Sequence, residues 1–199
     1  MDWYVLFVET GKEDVVRSLI SKYFDKSEIR AIVPKRKLVE RRLGQSYEVC
    51  KTMFPGYVLV YTQMNTKIYY ELKQIPRCYR LLNRTHSSID NNEQRSVLYN
   101  QEDTLETYTF SKIEEEEMTL ILQLIGKSEM IDCSALYIEN AKIKVSSGPL
   151  KGKEGIIKKI DKRKRRARIA LNFMGYEKLL DVGISLLEKP LENGNFGTH

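Results

Sequence analysis

From residue 134 to residue 189 the chain places its apolar residues only in short runs of strand period. The runs are LYIEN, KIKVSS, EGIIKKI, RARIALNF and KLLDVGISLLEK, and glycine-bearing turns separate several of them. Short strands at such close spacing cannot bury two faces in an open layer, so they predict a small β-barrel or sandwich. This region also holds the densest charge in the sequence. Six of the seven positions 162–168 are basic (Lys162, Arg163, Lys164, Arg165, Arg166 and Arg168), and the chain returns at once to alternating apolar residues. A disordered basic tail would not resume a pattern. The stretch therefore reads as a hairpin connection, with EGIIKKI and RARIALNF as neighbouring strands. In the second strand Ala167, Ile169 and Leu171 point to the core, while Arg166 and Arg168 stand outside beside the loop cations.

The net charge of +6 over 199 residues conceals a division. Residues 135–191 carry 14 Lys/Arg against 6 Asp/Glu, and residues 1–134 carry 19 against 20. A basic field confined to one region favours a polyanion, whether nucleic acid, an acidic protein or a membrane surface. A purely solubilising loop would do as well with mixed Lys and Glu, yet the only acid beside this one is Asp161. Nucleic acid is the reading the loop favours, and an acidic protein surface is the main alternative. Arginine offers planar bidentate contacts to phosphate and guanine edges.

Helical spacing appears only before residue 127. WYVLFV reads as a buried strand, and EDVVRSLISKYF places Val15, Val16, Leu19, Ile20 and Phe24 on one helical face. IRAIVPKRKLVERR reads as a strand broken at Pro34 with a basic, exposed extension, and YEVCKTMFPGYVLVYT as two strands around a Phe-Pro-Gly turn. TKIYYELKQI is a second helix and RCYRLLN a further strand. The order β-α-β-β-β-α-β predicts an α+β layer with a mostly antiparallel sheet. SKIEEEEMTLILQLIG is a third helix, with Ser111 as its N-cap and Met118, Ile121, Leu122 and Ile125 as its apolar stripe. Its glutamate run suits the positive end of the helix dipole better than a metal or acid/base site. The domain plan is 1–127, with 86–110 as an insertion or flexible loop, a linker at 128–134, a barrel at 135–191 and a disordered tail at 192–199.

Cys50, Cys78 and Cys133 are far apart and show no zinc spacing, so no metal or cofactor is expected and a reducing, cytoplasmic compartment fits. No apolar run approaches the length that spans a bilayer, so no membrane association is expected. Only His86 and His199 are present, and no nucleotide-binding, serine-hydrolase or metalloprotease motif occurs. The expectation is a monomeric binding protein, not an enzyme.

The motifs resemble a known family. SSGPLKGKEGIIKKID, residues 146–161, is similar to the KOW motif, with Gly155 as its essential glycine. WYVLFVETGKEDVV, IVPKRKLV, MFPGYVLVYTQMN and IPRCYRLLN, in that order, resemble the N-terminal domain of NusG/Spt5-type transcription elongation factors. That resemblance implies a NusG-type N-terminal α/β sandwich followed by a KOW β-barrel. The basic hairpin with EEEMTLILQLIG before it is most similar to the specialised LoaP branch of bacterial antiterminators, which join RNA polymerase after meeting an RNA hairpin in a leader transcript.

The resemblance implies an apolar patch for the polymerase clamp helices, at Phe7, Phe54, Tyr57 and Leu59. Read from the residues alone, Phe54 and Tyr57 are equally well core residues beside a turn. In some relatives a second contact reaches the polymerase gate loop from the start of the second helix. Here IYYEL stands there, with Tyr69 and Tyr70 as candidates. For RNA the candidates are Lys151, Lys153, Lys158, Lys159, Lys162, Arg163, Lys164, Arg165, Arg166 and Arg168, with Tyr176 either stacking on a base or packing the barrel. The run PKRKLVERR is a second basic patch, for which upstream DNA or RNA and plain solvation are equal readings. A general NusG-type elongation factor, tuning pausing or termination without selecting an RNA, is the competing function.

Overall fold

The computed structural model describes residues 1–82 and 110–188. The expected insertion lies outside those residues except for Phe110, and the expected tail lies wholly outside them. The chain divides into two units. The first comprises Met1–Val33 and Phe54–Met118, and the second comprises Pro34–Met53 and the chain from Thr119 onward.

The first unit is built on a four-stranded antiparallel sheet in the order β2-β5-β1-β6, from β1 (Asp2–Val8), β2 (Ile29–Ile32), β5 (Tyr57–Thr62) and β6 (Cys78–Leu81). Helices α1 (Glu13–Tyr23) and α2 (Thr66–Lys73) belong to it. One sheet face presents Tyr4, Leu6, Val8, Val58 and Val60 to Val16, Ile20 and Leu72. On the other face Val5 and Leu59 are also fully buried, which is why WYVLFV and YVLVYT read as nearly continuous apolar runs. The inward face of α1 is Val16 and Ile20, continued by buried Phe24 just past its end, whereas Val15 is exposed. Asn65 caps α2 by accepting the Ile68 amide at 2.9 Å.

The second unit holds a hairpin, β3 (Lys35–Arg42) with β4 (Gln45–Thr52), and β7 (Met130–Ile131) lies parallel to β3. Its larger sheet has the order β10-β11-β12-β8-β9. These strands are β8 (Ser134–Glu139), β9 (Lys142–Ser147), β10 (Ile157–Asp161), β11 (Arg166–Phe173) and β12 (Tyr176–Leu186). It is the curled sheet expected of a KOW barrel. Within this sheet the last strand in sequence meets the first, because β12 pairs parallel with β8 through Ile184 and Ser134. A 3-10 turn at Glu154–Ile156 bridges the edge. The Glu154 carboxylate accepts the Val145 amide of β9 at 3.3 Å.

Helix α3 (Glu115–Ile125) corrects two expectations. It begins four residues after Ser111, so Ser111 is not its cap, and Glu115, Glu116 and Glu117 occupy its first turn. Its buried residues are Met118, Ile121, Leu124 and Ile125; Leu124 takes the place assigned to Leu122. A further correction concerns the KOW glycine. A Cβ on Gly155 would meet nothing within 4 Å. Gly148 is the demanding position: its φ is +95° and a Cβ there would lie 2.7 Å from the Ser134 Cα.

Candidate nucleic-acid interface

The sequence places Asp161 at the end of β10 and Arg166 at the start of β11, and the two are paired in the ladder. Lys162, Arg163, Lys164 and Arg165 form the connection, and all four are exposed. Asp161 does not neutralise them. Its Oδ1 accepts the Lys164 amide at 2.8 Å, and the Arg165 amide donates to the Lys162 carbonyl at 3.3 Å. Arg165 takes φ of 51°, the left-handed bend that lets the chain re-enter the ladder. Asp161 thus shapes the turn, and the loop backbone that carries the four cations is fixed.

The same end of the sheet gathers further cations. The Ile184 amide donates to the Arg165 carbonyl at 3.0 Å, Ile184 pairs with Ser134, and Gly148 packs on Ser134. The turn that follows, held by the Leu150 amide on Ser134 Oγ at 3.0 Å, carries Lys151 and Lys153. Lys158 and Tyr176 lie toward the other end. Lys158 approaches Glu177 at 3.8 Å, and Tyr176 closes the β11–β12 turn opposite Phe173. The eight residues of β11 separate that end from the basic loop by about 23 Å of strand. Tyr176 is 60% exposed, so it does not pack the barrel. Lys159 is exposed beside Arg168 in the ladder.

Arg168 is exposed as the alternation suggested but is ion-paired, whereas Arg166 does not stand open beside the loop. Arg168 donates Nε to Asp181 Oδ1 at 2.8 Å and Nη2 to Oδ2 at 3.4 Å. That hydrogen bond holds the Asp181 carboxyl below its ordinary value against the opposing effect of burial, and raises the Arg168 guanidinium. Arg166 is half-buried, with its Nη2 3.5 Å from Glu40 on β3 and its Nε buried without a hydrogen-bond partner. The physical reason is a neighbour the strand pattern does not reveal. The β3–β4 hairpin packs on β12: Arg36 Nη1 donates to the Asp181 carbonyl at 2.5 Å, and Gly183 leaves room for the Lys37 carbonyl. Lys51 bonds Glu40 and holds its carboxyl low, and Lys37 does the same for Asp132 at 2.9 Å. The run PKRKLVERR is therefore a paired and docked strand, not an exposed extension; only its end, Arg41 and Arg42, is exposed. The Leu43-Gly44 turn within two polar strands was its signal.

The expected polymerase patch divides by burial. Phe7 and Tyr57 are half-buried, with ring centroids 5.9 Å apart. Tyr79, which the sequence reading missed, lies 5.5 Å from Phe7 and is 54% exposed, and Arg80 sits over the Phe7 ring at 5.7 Å. Phe54 at 5% and Leu59 at 0% exposure belong to the interior and offer no contact surface. Their turn is fixed by another missed residue, Glu13. Its buried carboxylate accepts the Gly11 amide at 3.0 Å and the Gly56 amide at 2.6 Å. Of the α2 pair, Tyr70 is exposed, and Tyr69 is half-buried against Phe110 at 5.3 Å.

Two families match the chain: the one described as transcription termination factor nusG over residues 1–98, and the KOW motif over residues 139–171. The transcription termination/antitermination protein NusG of Halalkalibacterium halodurans is 24% identical over 193 residues, covering 94% of this chain and 98% of that protein. The protein of the same description from Pseudomonas aeruginosa is 24% identical, with 94% and 97% covered. A solved structure concerning domain interaction in Thermotoga maritima NusG aligns with a TM-score of 0.52 at 20% identity, covering 92% of this chain and 93% of that one. That likeness shows the fold.

Proposed function

The chain carries a NusG N-terminal domain and a KOW motif, the pairing of the NusG/Spt5 superfamily, and from that premise we infer that it is a processive antitermination factor that selects its transcript through the basic KOW hairpin. NusG-type proteins are transcription termination/antitermination factors that interact with RNA polymerase, and they are not enzymes. In this reading the partly exposed aromatic patch of Phe7, Tyr57 and Tyr79 engages the polymerase clamp helices, with Tyr70 as a further contact. Lys162, Arg163, Lys164 and Arg165, with Lys151, Lys153 and Lys159, engage a structured RNA hairpin in the leader. The protein acts as a cytoplasmic monomer.

One observation carries the reading: Asp161 fixes the backbone of the turn through the Lys164 amide, and four adjacent cations are exposed at that hairpin tip. Each phosphate neutralised would add about 0.9 to the salt slope. A-form RNA has a deep, narrow major groove, so a protruding hairpin is suited to a site where a loop or bulge widens it. Tethered RNA and polymerase contacts reinforce one another, so two modest affinities suffice for selective recruitment.

The test is binding of the full chain to a hairpin RNA, an unstructured RNA and a duplex DNA across a salt series. Retained hairpin preference near physiological salt, lost when Lys162, Arg163, Lys164 and Arg165 become glutamine, supports selection. Equal and steeply salt-dependent binding to all three refutes it and leaves a general NusG-type factor. The half-burial of Arg166 against Glu40 favours that second reading, because it withdraws one charge from the interface, while Arg168 stays exposed beside Asp181.

A further inference from the structure

We propose that the tip of the β3–β4 hairpin, residues 41–44, is an RNA wedge that acts beside the 162–165 loop; the proposal rests on the RNA reading of that loop. Leu43 is 96% exposed, the most exposed large apolar residue among those described. It also adopts φ of 50°, followed by Gly44 at 80°. This is a two-residue turn of the kind in which Asn, Asp or Gly is at home and a branched apolar side chain is strained. Neither solubility nor turn geometry is served by leucine there. Arg41 and Arg42 precede it directly and are exposed. An apolar side chain at the end of a rigid ribbon, flanked by arginines, has the chemistry of a base-step wedge: the cations hold phosphates while the apolar group replaces a stacking partner.

The second observation is placement. Glu40, two residues before Arg42 and so about 7 Å of strand away, ion-pairs with Arg166, which directly follows the basic loop. Arg36 on β3 and Arg168 on β11 meet the same residue, Asp181. The two hairpins are therefore anchored side by side within one unit, and their tips point the same cationic chemistry at a common neighbour. RNA is favoured over duplex DNA because its bulges and loops offer unstacked steps at little cost, and because the adjoining loop is the RNA-binding element.

The experiment uses the full chain and a short RNA hairpin with one bulged nucleotide and 2-aminopurine beside the bulge. The fully paired RNA hairpin and the DNA duplex of the same sequence serve as comparisons. Wild-type protein should raise the 2-aminopurine fluorescence as the step unstacks. Leu43→Asn should melt no lower than wild type, bind the bulged RNA about tenfold more weakly, as expected for losing partial burial of one leucine side chain, and give no fluorescence rise. Arg41→Gln with Arg42→Gln should flatten the salt slope by about one per arginine. If these variants bind and unstack like wild type while glutamine substitution of residues 162–165 abolishes binding, the wedge is refuted and the loop reading stands. If the loop variant also binds unchanged, both readings fall. A loss confined to the DNA duplex refutes the RNA wedge in favour of a DNA contact.

Discussion

Replacing Gly183 by alanine tests the docking of the β3–β4 hairpin on β12. The added methyl would lie 2.6 Å from Cys133 Sγ and 2.8 Å from the Lys37 carbonyl oxygen. Ordinary Cβ contacts begin near 3.4 Å, so the backbone at Lys37 must retreat by about 0.6 Å. The sulfur can swing away about its own side-chain bond. The carbonyl cannot, because Lys37 is held in register with Cys50 across the hairpin. Overpacking of this kind costs roughly 1–3 kcal/mol. In a unit of this size each kcal/mol lowers the melting temperature by roughly 4–8 °C. Calorimetry of the full chain should therefore show the second unit's transition fall by roughly 4–24 °C. Hydrogen exchange should show faster exchange in β3. Gly155→Ala is the control, since its methyl meets nothing within 4 Å, and it should stay within about 0.5 kcal/mol of wild type. Adding Cys133→Ala removes one of the two clashes and should recover only part of the loss. A Gly183→Ala protein that melts like wild type, or full recovery in the Cys133→Ala background, would refute the seating of the Lys37 carbonyl on β12.

Glu13→Ala should destabilise the first unit by roughly 2–4 kcal/mol in urea titrations, because it strands two amides, one of them at the Phe-Pro-Gly turn; Glu13→Gln, which keeps an acceptor, should cost less. Asp181, Glu40 and Asp132 have carboxyl groups held low by hydrogen bonds from Arg168, Lys51 and Lys37 respectively. Their stabilising contribution is complete above the unfolded carboxylate range of about pH 4 and is lost as pH falls through the lower folded values. The second unit's melting temperature should thus be flat from about pH 5 to 8 and drop below about pH 4; a fall beginning at higher pH would contradict the assignment. Burial pushes the Cys78 thiol up to about 11. At mildly alkaline pH a disulfide reagent should label exposed Cys50 promptly and half-buried Cys78 more slowly, and equal rates would contradict the raised Cys78 value.

Local signals carried much of the architecture. Strand period and turn residues located β5, β8, β9 and β11, and the charge run fell where a hairpin connection had to be. What the residues could not disclose was set by partners distant in sequence. Arg166 and Arg168 alternate outward as expected, yet whether an outward arginine is open depends on Glu40, 126 positions earlier, and on Asp181. Phe54 and Leu59 lie in a motif that reads as surface by family likeness, but their burial follows from tertiary packing. Gly155 looked indispensable by its motif, whereas Gly148 is the residue whose missing side chain admits the neighbouring backbone. The start of α3 lies four residues past Ser111, at the glutamates that suit the positive end of the helix dipole.

The second unit is discontinuous, and that has a consequence for the order in which the molecule is made. Residues 34–53 leave the ribosome long before β12, whose last strand residue is Leu186. At about 5–20 residues per second the interval is roughly 7–27 s. An isolated two-stranded hairpin is marginal in water, so β3 and β4 must wait with unsatisfied edges until the rest of their unit is made. Arg36 and Lys37, which later meet Asp181 and Asp132, would in that interval act as a guard, since like charges along a bare edge discourage pairing between neighbouring nascent chains.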